Sequence, residues 1–524
     1  MSAIVEIPPK PVHAKPNAPR WLKILVLVLL GGAFISAIAS FYVSRIVRRH
    51  LVEALETHYH SKVELQDFSV LVFPRVHISG DGLVLRQDMD AGAPPFIKVA
   101  RFSTDASIFG LLREKKRIAS VSLHGLEIHI SHRTGSSPSE AQPASKKAPD
   151  FVIEEVTADD TKLVIHPRDP QKNPLQFDIH QLSLRSAGTG EAMKYKATLT
   201  NPTPPGKIES SGYFGPFNID DAGKSPLKGD YTFINADLGH FKGISGTLAS
   251  KGEFSGILEQ IDVKGHTDVP NFAVRDAHPV HLATDFTATV DGTDGDTYLH
   301  GVRATFLTTQ IDAKGKIEGI PGEHGKNITL TVDAQHAHIE DLLALVVNSE
   351  PPLRGEAELH AQFELPHGDG DVLDRLRLNG AFGLENAKFA NSSVQQKIAK
   401  LSERGKGNNS NNFAPGDTAS DFAGHFTLAN GLANFSQLSF FVPGASVNLH
   451  GTYNLDSQAL DFQGDLHLQA ELSEMTSGVK SFFAKLVQPL FNGKKGKGKT
   501  DIPIKIGGTR SKPDFGLDAK RVFQ

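Results

Sequence analysis

The chain has 524 residues, 39% of them hydrophobic and 22% charged, the composition of an ordered protein rather than a disordered one. Its 55 basic and 59 acidic residues leave a net charge of −4, so no basic footprint argues for nucleic-acid binding. With no cysteine, disulfides, thiolate zinc sites, Fe–S clusters and thiol nucleophiles are all excluded, while 48 glycines and 30 prolines set among alternating apolar residues favour a mainly β fold.

Residues 24–44, ILVLVLLGGAFISAIASFYVS, are one uncharged apolar run. Its length matches the roughly 20 residues that a bilayer core requires of a helix. Trp21 and Tyr42 stand at its two ends, where amphipathic rings settle at a membrane interface. Lys10, Lys15, Arg20 and Lys23 precede the run, and Arg45, Arg48 and Arg49 follow it. That balance narrowly favours a cytoplasmic tail over residues 1–23 and a single-pass helix over 24–44. A competing reading is a cleaved signal peptide ending at Ala37-Ile38-Ala39. Continuation of the apolar run to Val43, and the arginines beyond it, favour the uncleaved anchor.

Residues 45–60 then read as a short helix leaving the membrane, with a stripe of Ile46, Leu51, Leu55 and Tyr59. Strands follow through 132, in "KVELQDFSVLVFPRVHISGDGLVLR" and "RIASVSLHGLEIHI", with Pro74 and Gly80-Asp81-Gly82 read as turns. "FGLLREKK" between strands looks like a helical turn. Residues 133–150, RTGSSPSEAQPASKKAPD, have almost nothing to bury and read as a flexible linker. A central meander over 151–374 resumes the alternation, with short and fairly regular spacing between turn signals.

The C-terminal region, 375–524, brings helices as well. "HIEDLLALVVN" just before it and "SSVQQKIAKLSERG" within it both carry helical apolar stripes, the second starting at a Ser392/Ser393 cap. A third helix is expected at 474–491, placing Phe482 and Phe483 on its apolar face, with Lys494, Lys495, Lys497 and Lys499 after it. That combination suits either a membrane surface or a helix docked on its own sheet beside a solvated basic loop. Asn430-Gly431 is the strongest hairpin dipeptide in the chain and pairs Ala429 with Leu432, Leu428 with Ala433 and Phe426 with Phe435. A last strand over 501–507 should put Ile502, Ile504 and Ile506 on the apolar surface of Leu466 and Leu468. Pro503 places it at the end of its sheet, and Pro513 stiffens a tail leading away.

The blocks "LENAKFANSSVQQKIAKLSERGKG", "FAGHFTLANGLANFSQLSFFVPGASVNLHGTYNLDSQALDFQGDLHL" and "IPIKIGGTRSKPDFGLD", in this order, resemble the C-terminal region of the AsmA-like family. Pro503, Gly508, Thr509 and Pro513 match best; the segments "FPRVHISGDGLVLR" and "IKVARFSTDASIFGLLREKKRIASVSLHGLEIHI" are similar to the family's N-terminal part, so the resemblance covers residues 45–132 and 375–518, and the middle matches in character only. The resemblance implies an inner-membrane, single-pass protein of a diderm cell envelope with its bulk in the periplasm. It also implies a role in outer-membrane assembly and phospholipid transport, and no catalytic residues. The chain is short for that family, and its linker at 133–150 is unusual.

The fold expected is therefore a transmembrane helix followed by a long, antiparallel, curved sheet, either a β-groove or an elongated sandwich, with a few amphipathic helices. Roughly 20 strands at about 4.8 Å each would unroll to on the order of 100 Å. An apolar strand face must be covered, by a second sheet, by closure of the sheet on itself, or by acyl chains. Alternation alone does not distinguish these. If acyl chains cover it, the lining is Val447, Leu449, Leu455, Leu460, Phe462, Leu466, Leu468, Ile502, Ile504 and Ile506. If a closed core does, the protein is a non-enzymatic scaffold or assembly modulator acting through envelope protein partners. His336 and His338 share a strand face and could flank a metal, but no ligand motif accompanies them. No G-x-S-x-G or H-E-x-x-H motif occurs, and no metal, cofactor or catalytic residue is assigned.

Overall fold

The computed structural model describes residues 20–59, 61–72, 76–86, 94–106, 116–130, 151–187, 191–218, 221–323, 325–407, 418–469 and 501–518. Twenty-three strands form one large curved half-barrel sheet, and the two-residue strand Ile244–Ser245 pairs separately with the end of Gln260–Val274. Sheet order follows chain order from Lys62–Leu71 at one edge to Lys512–Leu517 at the other. Leu353–Leu365 pairs with Arg377–Phe389, so the sheet runs unbroken past residue 374.

All neighbours in this sheet are antiparallel but one: Lys116–Ile130 runs parallel to Phe151–Ile165. A parallel neighbour requires a crossover rather than a hairpin. Residues 131–150, which include the sequence reading's linker, join these two strands and lie outside the described residues.

The helix Arg20–Tyr59 is continuous and 40 residues long. It merges the expected anchor and the short helix after it. The apolar run begins where side chains are not described, and Trp21 is among these. Among the described residues no helix is long and apolar enough to cross a membrane. Within the run, Phe34, Ile38, Phe41 and Tyr42 are exposed, as is Ile46 just after it, with Phe34 at 67%. Further along, the helix covers the first edge strand. Ser44 Oγ accepts from the Val70 N–H at 2.8 Å, and Arg48 donates to the Leu65 carbonyl at 2.6 Å. Val43, Val47 and Leu51 pack on the same strands. An edge strand's unpaired backbone groups invite pairing with other chains, and this helix takes up those of Val70 and Leu65.

Several sequence expectations need correction. Gly80-Asp81-Gly82 is not a turn but the middle of the strand Val76–Arg86. Gly80 is required there because a Cβ would lie 2.5 Å from the Phe102 ring. The strand Asp501–Thr509 does pair with Leu460–Leu468, but it is not last. Arg510 and Ser511 turn the chain back, and Lys512–Leu517 adds an edge strand with Pro513 opposite Gly508. Pro503 is thus interior, and the residue without an N–H that sits on the sheet edge is Pro513. The helix Ser392–Gly405 is capped by Asn391 rather than by a serine, its side chain accepting from Ser393 and Val394 N–H groups. The helix at Ile339–Ala344 is shorter than its stripe suggests. Pro74, residues 109–115 and the helix expected at 474–491 lie outside the described residues.

Because neighbours alternate in direction, turns fall on two opposite rims of the sheet. The rims touch. On one rim, the loop after Phe151–Ile165 reaches turns on the other rim several strands further on. Arg168 contacts Asp221 at 3.0 Å and Glu259 at 2.6 Å, and Lys172 contacts Asp294 at 2.5 Å and Asp296 at 2.7 Å. The Gly322 N–H donates to the Gln171 carbonyl at 2.7 Å. Beneath these polar contacts, Ile130 and Ile165 from one rim are buried with Ala222 and Leu258 from the other. The same offset recurs further along, where Arg275 meets Asp371 at 3.1 Å, Asp374 at 2.5 Å and Asp456 at 2.8 Å. The sheet therefore coils, and its two rims meet along a spiral seam.

The Lys172 ammonium is the most enclosed of these seam cations. Burial alone would lower its pKa, but hydrogen bonds to Asp294 and Asp296 outweigh that and raise it. Replacing it leaves the largely buried Asp294 without its cation and Asp296 with Lys326 alone, at 3.7 Å. Lys172→Gln is expected to destabilise the protein by about 3–5 kcal/mol, read as a lower thermal midpoint. An unchanged midpoint would mean that the seam does not depend on this pair.

Candidate functional site

Alternation places one apolar face on the concave side of the sheet. In the middle strands that face is only half-buried: Ile208, Phe233, Phe254, Val263, Phe286, Val302, Val332 and Phe363 all retain partial exposure. They follow one another across the sheet through register partners such as Ile208/Phe233, Phe254/Val263, Phe286/Val302 and Leu330/Phe363. Glycines on this face accept flat rings from the neighbouring strand. A Cβ on Gly265 would lie 2.7 Å from Phe286, and one on Gly424 would lie 2.9 Å from Phe382. Large and absent side chains thus alternate across the groove.

Hydroxyls interrupt the apolar face at one band. Tyr195 bonds Ser210 at 2.8 Å, Tyr231 bonds Ser250 at 3.2 Å, and Thr267 donates to Ser250 at 3.1 Å. Burial pushes both tyrosine phenols above their ordinary pKa, so they stay neutral donors.

Toward the C-terminus the groove deepens under the helix Ser392–Gly405. Asn391 caps that helix, and its stripe of Ile398 and Leu401 faces the sheet. Two aromatic rows run beneath it: Phe389–Phe422–Phe440 at 6.0 and 4.9 Å, and Phe426–Phe435–Phe462 at 6.3 and 5.7 Å. Of the ten residues expected to line a groove, nine belong to this one cluster. Val447, Leu449, Phe462, Leu466, Leu468 and Ile502 are buried in it, and Leu460, Ile504 and Ile506 pack on it partly exposed. Leu455 belongs to a neighbouring cluster around Leu428 and Ala433. Phe482 and Phe483 lie outside the described residues.

Two cavities border this cluster. One, of about 310 Å³, lies between the helix Ser392–Gly405 and the last strands, and Val447, Leu449, Leu466, Ile504 and Ile506 are on its wall. Sequence reasoning did not include Val394, Ile398, Phe422 and Phe515, which also line it. The helix stripe was a usable signal, since an apolar stripe must be covered by something. A second cavity, of about 620 Å³, opens at the seam, where Val274–Ala277 meet the turns after Ala445–Asn454 and Asp501–Thr509. Leu460 and Phe462 are walls of both. Both volumes fall within the range of small-molecule sites.

The opposite face of the sheet is polar and carries much of the histidine. His77–Asp105 (2.8 Å), His124–Asp159 (3.1 Å), His266–Asp285 (2.8 Å) and His360–Asp333 (2.5 Å) are neighbour-strand pairs. His336, at φ 56°, turns to Glu356, while His338 bonds Thr308 at 3.1 Å. Among the described residues, no group of three or more His, Asp and Glu could hold a metal ion. Residues 493–500 carry the G-x-x-x-x-G-K-T spacing of a phosphate loop. That loop needs a helix to open at its Lys-Thr; residues 493–500 lie outside the described residues, and the strand Asp501–Thr509 begins directly after them.

Ile502 is 1% exposed and off the cavity wall, while Ile506 borders the cavity. Ile502→Ala is expected to cost about 2–5 kcal/mol and Ile506→Ala distinctly less, measured as shifts in denaturation midpoint. Equal costs would mean that the cavity wall is packed as tightly as the core. No family model matches this chain, and no curated protein or solved structure matches it either.

Proposed function

We propose that this protein binds phospholipid acyl chains along its concave face and conducts them as a non-enzymatic, membrane-anchored envelope protein. The observation that carries the reading is the half-exposed apolar face that follows register from Pro205–Phe214 to the last strand. Apolar surface of that extent is costly in water, at about 25 cal/mol per Å². Soluble monomers rarely expose contiguous apolar patches beyond a few hundred Å². Acyl chains match such a surface because they need no register and no hydrogen bonds. The exposed Phe34, Ile38, Phe41, Tyr42 and Ile46 suit a helix that contacts lipid, and its second half sits on the first strand of the groove. The resemblance to the AsmA-like family supports the same reading, with the bulk of the chain in the periplasm and outer-membrane assembly as its context.

A second reading is the scaffold with a closed β core, acting through protein partners. The packing around Leu466, at 2%, and Ile502, at 1% exposure, favours it for the last strands alone. Among the described residues, the buried clusters that touch the middle strands are smaller and lie near strand ends, around Ala222 and Leu258 and around Ala334, Ala337 and Ala357.

Native mass spectrometry of the full chain in gentle detergent separates the two. Co-purified phospholipid is expected, and protein without lipid would remove the conduit. N-terminal sequencing of the mature protein addresses the anchor: an intact start is expected, and a mature terminus at Ser40 would overturn it.

A further inference from the structure

The seam cavity differs from the rest of the groove in its mouth. Its floor is apolar, with Phe426, Leu428, Phe435, Leu455 and Phe462. Three polar groups on its wall stand out. Arg510, in the turn between the last two strands, reaches Ser349 at 3.4 Å and contacts no carboxylate among the described residues. Tyr453 is half-buried, and its hydroxyl has no hydrogen-bond partner among the described residues. Tyr453 and Arg510 line the same cavity, and burial pushes the phenol above its ordinary pKa while the Arg510 guanidinium pulls it down. Asp276 is exposed and makes no ion pair among the described residues.

The surrounding charge narrows what could sit there. Of the charged residues on the wall, Arg275 and Asp456 pair with each other at 2.8 Å, which leaves Arg510 and Asp276 to face a ligand. A purely anionic head group would meet Arg510 but leave Asp276 without a partner. A neutral head group would leave Arg510 and Asp276 without partners. A zwitterion satisfies both signs. The planar guanidinium fork and a phenol O–H suit phosphate oxygens. A primary ammonium, with three N–H donors, suits Asp276, whereas a quaternary ammonium offers it no hydrogen bond.

We infer that the seam cavity is a head-group site for a zwitterionic, primary-amine phospholipid, with its phosphate at Arg510 and Tyr453, its ammonium at Asp276 and its acyl chains on the Phe435–Phe462 floor. This inference rests on the lipid-binding reading and adds selectivity to it. It also fixes a polarity for the bound lipid, head at the seam and tails toward the cavity beneath the helix Ser392–Gly405.

The test uses the full chain in mixed micelles holding equal amounts of phosphatidylethanolamine, phosphatidylcholine, phosphatidylglycerol and diacylglycerol with identical acyl chains. Bound species are counted by native mass spectrometry. Phosphatidylethanolamine is expected to be enriched roughly tenfold over diacylglycerol, the ratio that about 1.4 kcal/mol gives. Arg510→Gln and Asp276→Asn are each expected to bring that ratio toward one while total bound lipid stays constant. Lipid bound by the parent without head-group preference would overturn the head-group site and leave the conduit standing. A parent that binds no lipid at all would overturn both. Selectivity that survives Arg510→Gln would also overturn the assignment, since the phosphate would then be held elsewhere.

Discussion

The fold turns on how a single sheet with one apolar face covers that face when its two edge strands never meet. A barrel closes its strand order, and a sandwich adds a second sheet. Here the sheet twists in the hand that L-residues impose and keeps twisting until one rim lies against the other. The contacts that stop the coil are ionic at the surface and apolar beneath. Arg168, Lys172 and Arg275 reach carboxylates far along the chain, and Ile130 and Ile165 bury against Ala222 and Leu258. The seam joins rims rather than edges, so it narrows the groove without replacing the strand ladder. The concave face can therefore be enclosed in places and still remain unfilled.

The two edges are handled differently. The long helix takes up the free backbone groups of Lys62–Leu71 with Ser44 and Arg48, so that edge has a side-chain cover. The other edge, Lys512–Leu517, is six residues long and carries Lys512 and Pro513. Short length, a lysine and a residue lacking an N–H are the ordinary means of discouraging another strand from pairing. On the polar face, histidine–carboxylate neighbours such as His266–Asp285 present alternating partners to water. Exposed pairs of this kind add little stability. Their service is to keep most of that face wet, so that the continuous apolar surface is on the concave side.

Local chemistry made part of this legible from sequence. The Asn430-Gly431 hairpin was readable to the residue because both positions take positive φ, 51° and 69°, as a tight turn demands. Period-2 alternation located most strands and set Ile502, Ile504 and Ile506 on the face of Leu466. Other features were hidden for physical reasons. Gly80 and Gly82 look like a turn because glycine has two uses, and the one in force at Gly80 depends on the ring of Phe102, which lies on another strand. The strand Lys512–Leu517 was masked by its own proline. The seam was invisible because its pairs are separated by 53 residues for Arg168–Asp221, 122 for Lys172–Asp294 and 181 for Arg275–Asp456. No local pattern carries such pairings. Nine of the ten expected lining residues do gather in one cluster, yet alternation could not say which of them pack and which border space, because both kinds share the same period.

That last distinction bears on how a conduit would work. Along the concave face the packing is graded. In the middle strands, glycines opposite rings leave the floor uneven and half-open, and the hydroxyls of Tyr195, Ser210, Tyr231 and Ser250 satisfy one another there. At the last strands, Val442 and Ile502 are fully buried, and open space lies beneath the helix Ser392–Gly405 and at the seam. A uniformly tight face would leave nothing for an acyl chain to displace. A uniformly open one would hold it no more firmly at any point than at another. A gradient from open to packed gives a mobile chain a direction in which contact increases and a place where it stops, and Leu460 and Phe462, shared by both cavities, stand at that place.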